Sequence, residues 1–158
     1  MREFDSNGLR LAEYQGKLFE YSYDYFECST KIFLRRFLYS NLLKKLDKND
    51  SSIISLDPYD GLEEIKNQFG EKNYGKEKKN KEALFWVGYI YRYISYTRKI
   101  STRLLMKIFE YPKMFEVYYS YHTQDPEWCI RSLLEIYNYP EEIFDPNYRV
   151  REAMKKSK

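Results

Sequence analysis

A single histidine stands among 158 residues, accompanied by only two cysteines, six glycines and five prolines. Nucleophile–base catalysis calls for a histidine or a tuned carboxylate beside a nucleophile. His122, in SYHTQDP, lies just before a helix start, where an imidazole more often hydrogen-bonds a loop carbonyl than acts as a base. Cys28 and Cys129 have no base tied to them by spacing, and no Cys/His group has zinc-ligand spacing. No metal and no cofactor are therefore expected. Each cysteine sits among apolar residues in a helical pattern and reads as a small core residue in a reducing compartment. The phosphate-cradling patterns GxxxxGK(S/T) and GxGxxG are absent. So is an arginine a few residues before His122, the arrangement of all-helical ribonucleases. The chain reads as a non-enzyme, with the surroundings of Tyr121 and His122 the one opening for an unfamiliar site.

Long apolar runs are missing too, which leaves no candidate membrane span. The opening stretch, MREFDSNGLRLAEYQGK, is polar and acidic, unlike a signal peptide. A cytoplasmic location without a membrane partner is the expectation.

Aromatic residues are what the chain has in excess. They make up 19% of it, and 18 of them are tyrosines. Tyrosine joins a large apolar ring to a hydroxyl that needs a partner, so it suits core margins and interfaces. Chain length permits one domain that buries roughly two-thirds of its unfolded surface. The net charge of +3 is unevenly spread. Residues 29–46 hold five basic side chains (Lys31, Arg35, Arg36, Lys44, Lys45) and no acid. Residues 92–113 hold six basic side chains against Glu110, and 114–147 reverse the balance with seven acids against Arg131. One positive and one negative surface region follow.

The periodicity predicts an all-α fold, a single multi-helix domain over 1–150 with a basic tail, 151–158, expected to fray. Leu11, Tyr14, Leu18, Tyr21 and Tyr25 advance by three and four, one stripe on a helix from Leu9 to about Phe26. Ser29 or Thr30 caps a break, after which KIFLRRFLYSNLLKKL reads as one helix burying Phe33, Leu34, Phe37, Leu38, Asn41 and Leu42. The helical part 8–46 ends in the polar cluster LDKNDSS, and Ile53–Leu56 is too short to classify. Asp57-Pro58 opens a short helix over 58–69, which stops at Gly70. The lysine-rich segment 70–81 is expected to be a mobile surface loop. A second helical part covers 82–138. Its first helix, 82–98, is apolar nearly all round and should be central, with Gly88 marking a close helix crossing. Pro112 opens a helix burying Phe115, Tyr118 and Tyr119, and Asp125-Pro126 opens another with Ile130, Leu133, Leu134 and Tyr137 inside. The end from Asn138 is expected to be partly extended.

Tyrosines at stripe positions (Tyr14, Tyr21, Tyr25, Tyr91, Tyr137) read as core. A second set, Tyr89, Tyr93, Tyr96 and Tyr121, lies close to basic residues. With Arg35, Arg36, Arg92, Arg103 and His122 it forms the candidate partner-binding group. Arg92, Arg98, Lys99 and Arg103 interleaved with tyrosines also suit nucleic acid, through phosphate contacts and base stacking.

GYIYRYISYTRKIST (88–102) and YHTQDPEWCIRSLLE (121–135) resemble paired motifs in a poorly characterised family of short bacterial proteins from low-GC Gram-positive organisms. TKIFLRRF (30–37) and the YGK at 74–76 are similar to the family's earlier half, so the resemblance spans most of 30–135. Its specificity lies in the order of the motifs. It implies an antitoxin-like or accessory member of a toxin–antitoxin-like gene pair, whose partner is a toxin-like protein of the ADP-ribosyltransferase type. The resemblance transfers a role and no site. The alternative is an autoregulatory nucleic-acid binder using the basic–aromatic helix, and the oligomeric state is open.

Overall fold

The computed structural model describes residues 1–55, 57–71 and 73–157. Among these the chain forms nine α-helices and two 3-10 turns, with no strand. The helices are α1 (Ser6–Tyr25), α2 (Thr30–Leu38), α3 (Asn41–Leu46), α4 (Pro58–Phe69), α5 (Lys81–Arg98), α6 (Thr102–Ile108), α7 (Tyr111–Tyr121), α8 (Pro126–Tyr137) and α9 (Pro146–Lys156). Most begin where a short polar side chain can take up an orphan backbone N–H. Asp5, Ser29, Ser40, Asp57, Asn80, Ser101, Asp125 and Asp145 each accept from a backbone N–H of the first turn that follows. Proline stands in the first turn of α4, α7, α8 and α9, where its missing N–H costs nothing.

The centre is α5, twelve of whose eighteen residues are buried. It packs most extensively on α1 and also touches α6, α7 and α8. The two long helices run antiparallel, with Gly8 facing Tyr96, Gln15 facing Gly88, and Lys81 ion-paired to Asp24 at 2.5 Å. At mid-seam the backbones come so close that a Cβ on Gly88 would stand 2.6 Å from the Gln15 carbonyl oxygen. Gly16 lies as tightly against the Phe85 ring. Gln15 Nε2 donates to the Gly88 carbonyl at 2.9 Å and locks the register. The close crossing expected at Gly88 is therefore present.

Elsewhere the structure departs from the sequence reading for local reasons. The segment after Ser29 makes two helices, because the Ser40 hydroxyl donates to the Phe37 carbonyl and accepts from the Leu43 N–H. This turn rotates Asn41 into solvent and brings Leu43 and Leu46 into the core. In α7 the buried residue is Met114, and Tyr119 points outward. Among the stripe tyrosines Tyr14 and Tyr91 are buried, whereas Tyr21, Tyr25 and Tyr137 are half-buried. The described part of the lysine-rich loop is fastened to the α1–α2 corner. Tyr74 and Glu77 accept from Ser29 and Thr30 N–H, and the Lys78 ammonium donates to the Tyr23 and Phe26 carbonyls at the end of α1. Lysine there closes a helix C-terminus, where a cation offsets the partial negative charge. The stretch after Asn138 holds a 3-10 turn, Glu141–Phe144, and then α9, which starts on Asp145 and Pro146 but buries no residue. Leu56 of the apolar stretch Ile53–Leu56, Lys72 of the loop and Lys158 of the tail lie outside the described residues. No described helix is long and apolar enough to cross a membrane.

Candidate functional site

The nine residues singled out from sequence fall into three places. Arg92, Tyr93 and Tyr96 belong to the interior, which corrects their assignment to a binding surface. Arg92 is completely buried. Its Nε donates to Gln15 Oε1 at 2.9 Å, one terminal nitrogen donates to Asp47 Oδ1 at 2.9 Å and to the Leu46 carbonyl, and the other donates to Thr102 Oγ1 at 2.9 Å. Thr102 in turn donates its hydroxyl to Asp47 Oδ1 at 2.7 Å and its backbone N–H to Oδ2. A guanidinium with five donors in a fixed fork thus ties α1, the end of α3, α5 and the start of α6 together. Burial pulls its pKa below the ordinary arginine value, and the neighbouring Asp47 carboxylate opposes that shift. A charge enclosed this completely is structural, because no partner reaches it.

Tyr96 donates to Asp5 at 2.6 Å and holds the N-cap of α1. Tyr93 donates to Glu127 Oε2 at 2.7 Å. That carboxylate also takes a two-pronged contact from Arg98, at 2.7 and 2.8 Å. The Arg98 guanidinium holds the Glu127 carboxyl below the usual range, and burial together with Glu127 pushes the Tyr93 phenol up. Tyr89 is half-buried at the edge of the same cluster, its ring near Phe4 and Phe85. These contacts anchor the first turn of α8 on α5 and so fix where the rest of α8 points.

Tyr121 and His122 belong to a different region, the α7–α8 limb. His122 is exposed and closes α7. Its Nδ1 lies 3.0 Å from both the Tyr118 and the Tyr119 carbonyl oxygens, and its ring stacks on Tyr118 with centroids 4.6 Å apart. Carbonyls only accept, so Nδ1 carries a proton and donates. Tyr121 is half-buried, edge-on to Trp128 at 5.0 Å, and its carbonyl lies 3.3 Å from Cys129 Sγ. Burial pushes the Cys129 thiol up to about 11, away from the reactive range. Cys28 is likewise buried and unpaired.

Around His122 the limb displays aromatic surface that the sequence reading missed. Tyr119 is 84% exposed and Trp128 37%. Tyr118 packs on Trp86 of α5 at 6.0 Å. Trp128 follows the Asp125-Pro126 helix start directly, and a tryptophan in a first turn, outside the apolar stripe, is the signal that could have found it. Three acids are exposed here, Glu116 on α7, where it pairs with Lys113, Asp125 at the N-cap of α8, and Glu135 on α8.

Arg35, Arg36 and Arg103 occupy a third place. Arg35 and Arg36 lie on α2, the first exposed and the second half-buried. Arg103 on α6 is exposed and lies over the Tyr39 ring, 4.6 Å from its centroid. Among the described residues no group of three or more His, Cys, Asp or Glu is placed to hold a metal. Comparison with protein-family models, with curated proteins and with solved structures finds no match to the chain.

Proposed function

We propose that the chain works by holding a partner protein on the aromatic face of α7 and α8, in the antitoxin-like role that the motif resemblance implies. The observation that carries this reading is the display of Tyr119 and His122 at the end of α7 beside Trp128 on α8, whose first turn Glu127 anchors to α5. Exposed tyrosine and tryptophan on rigid elements lose little side-chain entropy on binding, and such residues dominate interface energetics. The exposed acids beside them suit a partner with an apolar pocket rimmed by lysine or arginine. A toxin-like protein of the ADP-ribosyltransferase type is the partner class to test first.

Co-expression and co-purification with the product of the adjacent gene is the experiment. The reading expects a complex at micromolar concentration and rescue of growth from the toxic partner. Tyr119→Ala or Trp128→Ala should each weaken the complex by about 2 kcal/mol, roughly thirtyfold, while the variant stays folded. Absence of both complex and rescue refutes the role. A complex indifferent to both substitutions refutes the face.

A further inference from the structure

The basic residues that remain on the surface are not scattered. On α2 and at its C-cap, Lys31, Arg35 and Tyr39 recur every four residues, and all three are exposed. Helical rise places such positions about 6 Å apart on one side of the helix. Arg103 and Lys107 repeat the spacing on α6, both exposed, and the half-buried Tyr111 follows at the start of α7, past the break at Phe109 and Glu110. Two points relate the rows. Arg103 covers the Tyr39 ring at one end, and at the other Lys31 and Tyr111 line the same cavity, of about 350 Å³. The rows therefore run in opposite directions side by side. The cavity is also lined by Lys76 and Lys79 of the fastened loop, so the positive strip continues past the end of α2.

Arg92 and Arg98 are each paired with a carboxylate, and these cations differ from them. Among the described residues no ion pair engages Lys31, Arg35, Lys76, Arg103 or Lys107. Acids do border the strip: Glu77 pairs with Lys79 at 3.4 Å, and Asp47, bonded to Thr102 beside Arg103, is engaged by the buried Arg92. Within the strip the large exposed hydrophobic residue is Tyr39, 57% exposed. A membrane-binding face would need apolar side chains to insert, and a protein hot spot would need an apolar centre. Paired cations around one exposed tyrosine offer no apolar side chain to insert and no extended apolar centre. They match what tracks a phosphate backbone and stacks on bases.

We infer that the strip formed by Lys31, Arg35, Tyr39, Arg103 and Lys107, extended by Lys76, binds single-stranded nucleic acid without marked sequence preference. The backbone lies along the two cation rows, and a base stacks at Tyr39, whose ring Arg103 holds in place. This surface is separate from the α7–α8 face and uses none of its residues. It also differs from the basic–aromatic helix read from sequence, whose arginine at 92 is enclosed.

The test is fluorescence anisotropy of a short labelled oligothymidylate titrated with the full chain at several salt concentrations. Four neutralised phosphates give a slope of about −3 in log affinity against log salt. Arg35→Ala combined with Arg103→Ala should weaken binding about tenfold and flatten the slope by about 0.7 for each cation removed. Tyr39→Ala should lower affinity for the single strand more than for a duplex of the same sequence. Arg10→Ala with Lys17→Ala removes the same charge from α1 and should leave binding unchanged. Circular dichroism melts check that each variant is folded. The inference is overturned if the oligonucleotide does not bind, if duplex binds as well as single strand, or if the α1 variant loses as much as the strip variant. Equal binding of polyglutamate or of phosphatidylserine vesicles overturns it as well.

Discussion

Tyrosine and its neighbours are put to opposite uses in the α1–α5 seam and in the α7–α8 limb. In the seam three buried tyrosines have their hydroxyls bonded within the protein: Tyr91 donates to the Phe109 carbonyl, Tyr93 to Glu127 and Tyr96 to Asp5. In the limb, Tyr119 presents its ring to solvent and Trp128 is in part open. Composition is alike in the two regions, and what differs is the number of elements converging on each. The seam is flanked by α4, α6, α7 and α8, so a polar tip there must be satisfied from within or cost several kcal/mol. The limb has one side on α5 and one side free, so its aromatic residues remain available to a partner.

Loss of a seam group should therefore be felt as unfolding and loss of a limb group as weakened binding. The largest effect is expected for Arg92→Ala, which leaves Asp47, Gln15 and Thr102 without their shared donor. A cost of about 3–5 kcal/mol is the scale for removing one member of a buried pair, read by denaturant titration. Arg92→Lys should recover little of it, since an ammonium cannot bridge the same carboxylate, amide and hydroxyl. Next is Gly88→Ala. Helix propensity favours alanine by about 1 kcal/mol, but the added Cβ would overlap the Gln15 carbonyl, and overpacking costs about 1–3 kcal/mol. The net change should be destabilising, and a thermal melt that rises instead would show that the seam can spread.

A smaller effect concerns pH. Glu127 is held below the ordinary carboxylate range by Arg98, so its contribution to stability is present above an unfolded pKa of about 4.3. It is lost as the solution is acidified through the lower folded value. Glu127→Gln should reduce stability at neutral pH and flatten its dependence on pH in the acid limb of the profile. An unchanged profile would mean that α8 is held on α5 by apolar contacts alone. The smallest effect on stability belongs to Tyr119→Ala, within about 0.5 kcal/mol by chemical denaturation. A change as large as that of Gly88→Ala would place Tyr119 in the core and erase the contrast.

Helix starts were legible because their causes are local. Asp57-Pro58 and Asp125-Pro126 each carry cap and first-turn proline within two residues, and both start helices where expected. The central place of 82–98 and the close crossing at Gly88 were legible from an apolar surface running nearly all round one helix. Helix breaks were less so. Ser40 interrupts a continuous apolar period, and Asp145-Pro146 starts α9 in a stretch too polar to suggest a helix. The candidate site was read with less success. His122 and Tyr121 do lie on the limb, but Trp128 was passed over and Tyr119 was placed on the buried side of its helix. Arg92 and its tyrosines were placed outside because charge and aromaticity look alike in a core hub and in a binding face.

The sequence by itself determined an all-helical chain, most of its helix boundaries and the helix at its centre, since propensity, capping and periodicity act over a few residues. Only the tertiary structure decided which cations are enclosed and which are free. Arg92 finds Gln15 and Asp47 at separations of 77 and 45 residues, whereas Arg103, next to Thr102 of the same buried network, is exposed and lies over the Tyr39 ring. Burial of a charge depends on partners brought from distant parts of the chain, and periodicity along one helix carries no record of them.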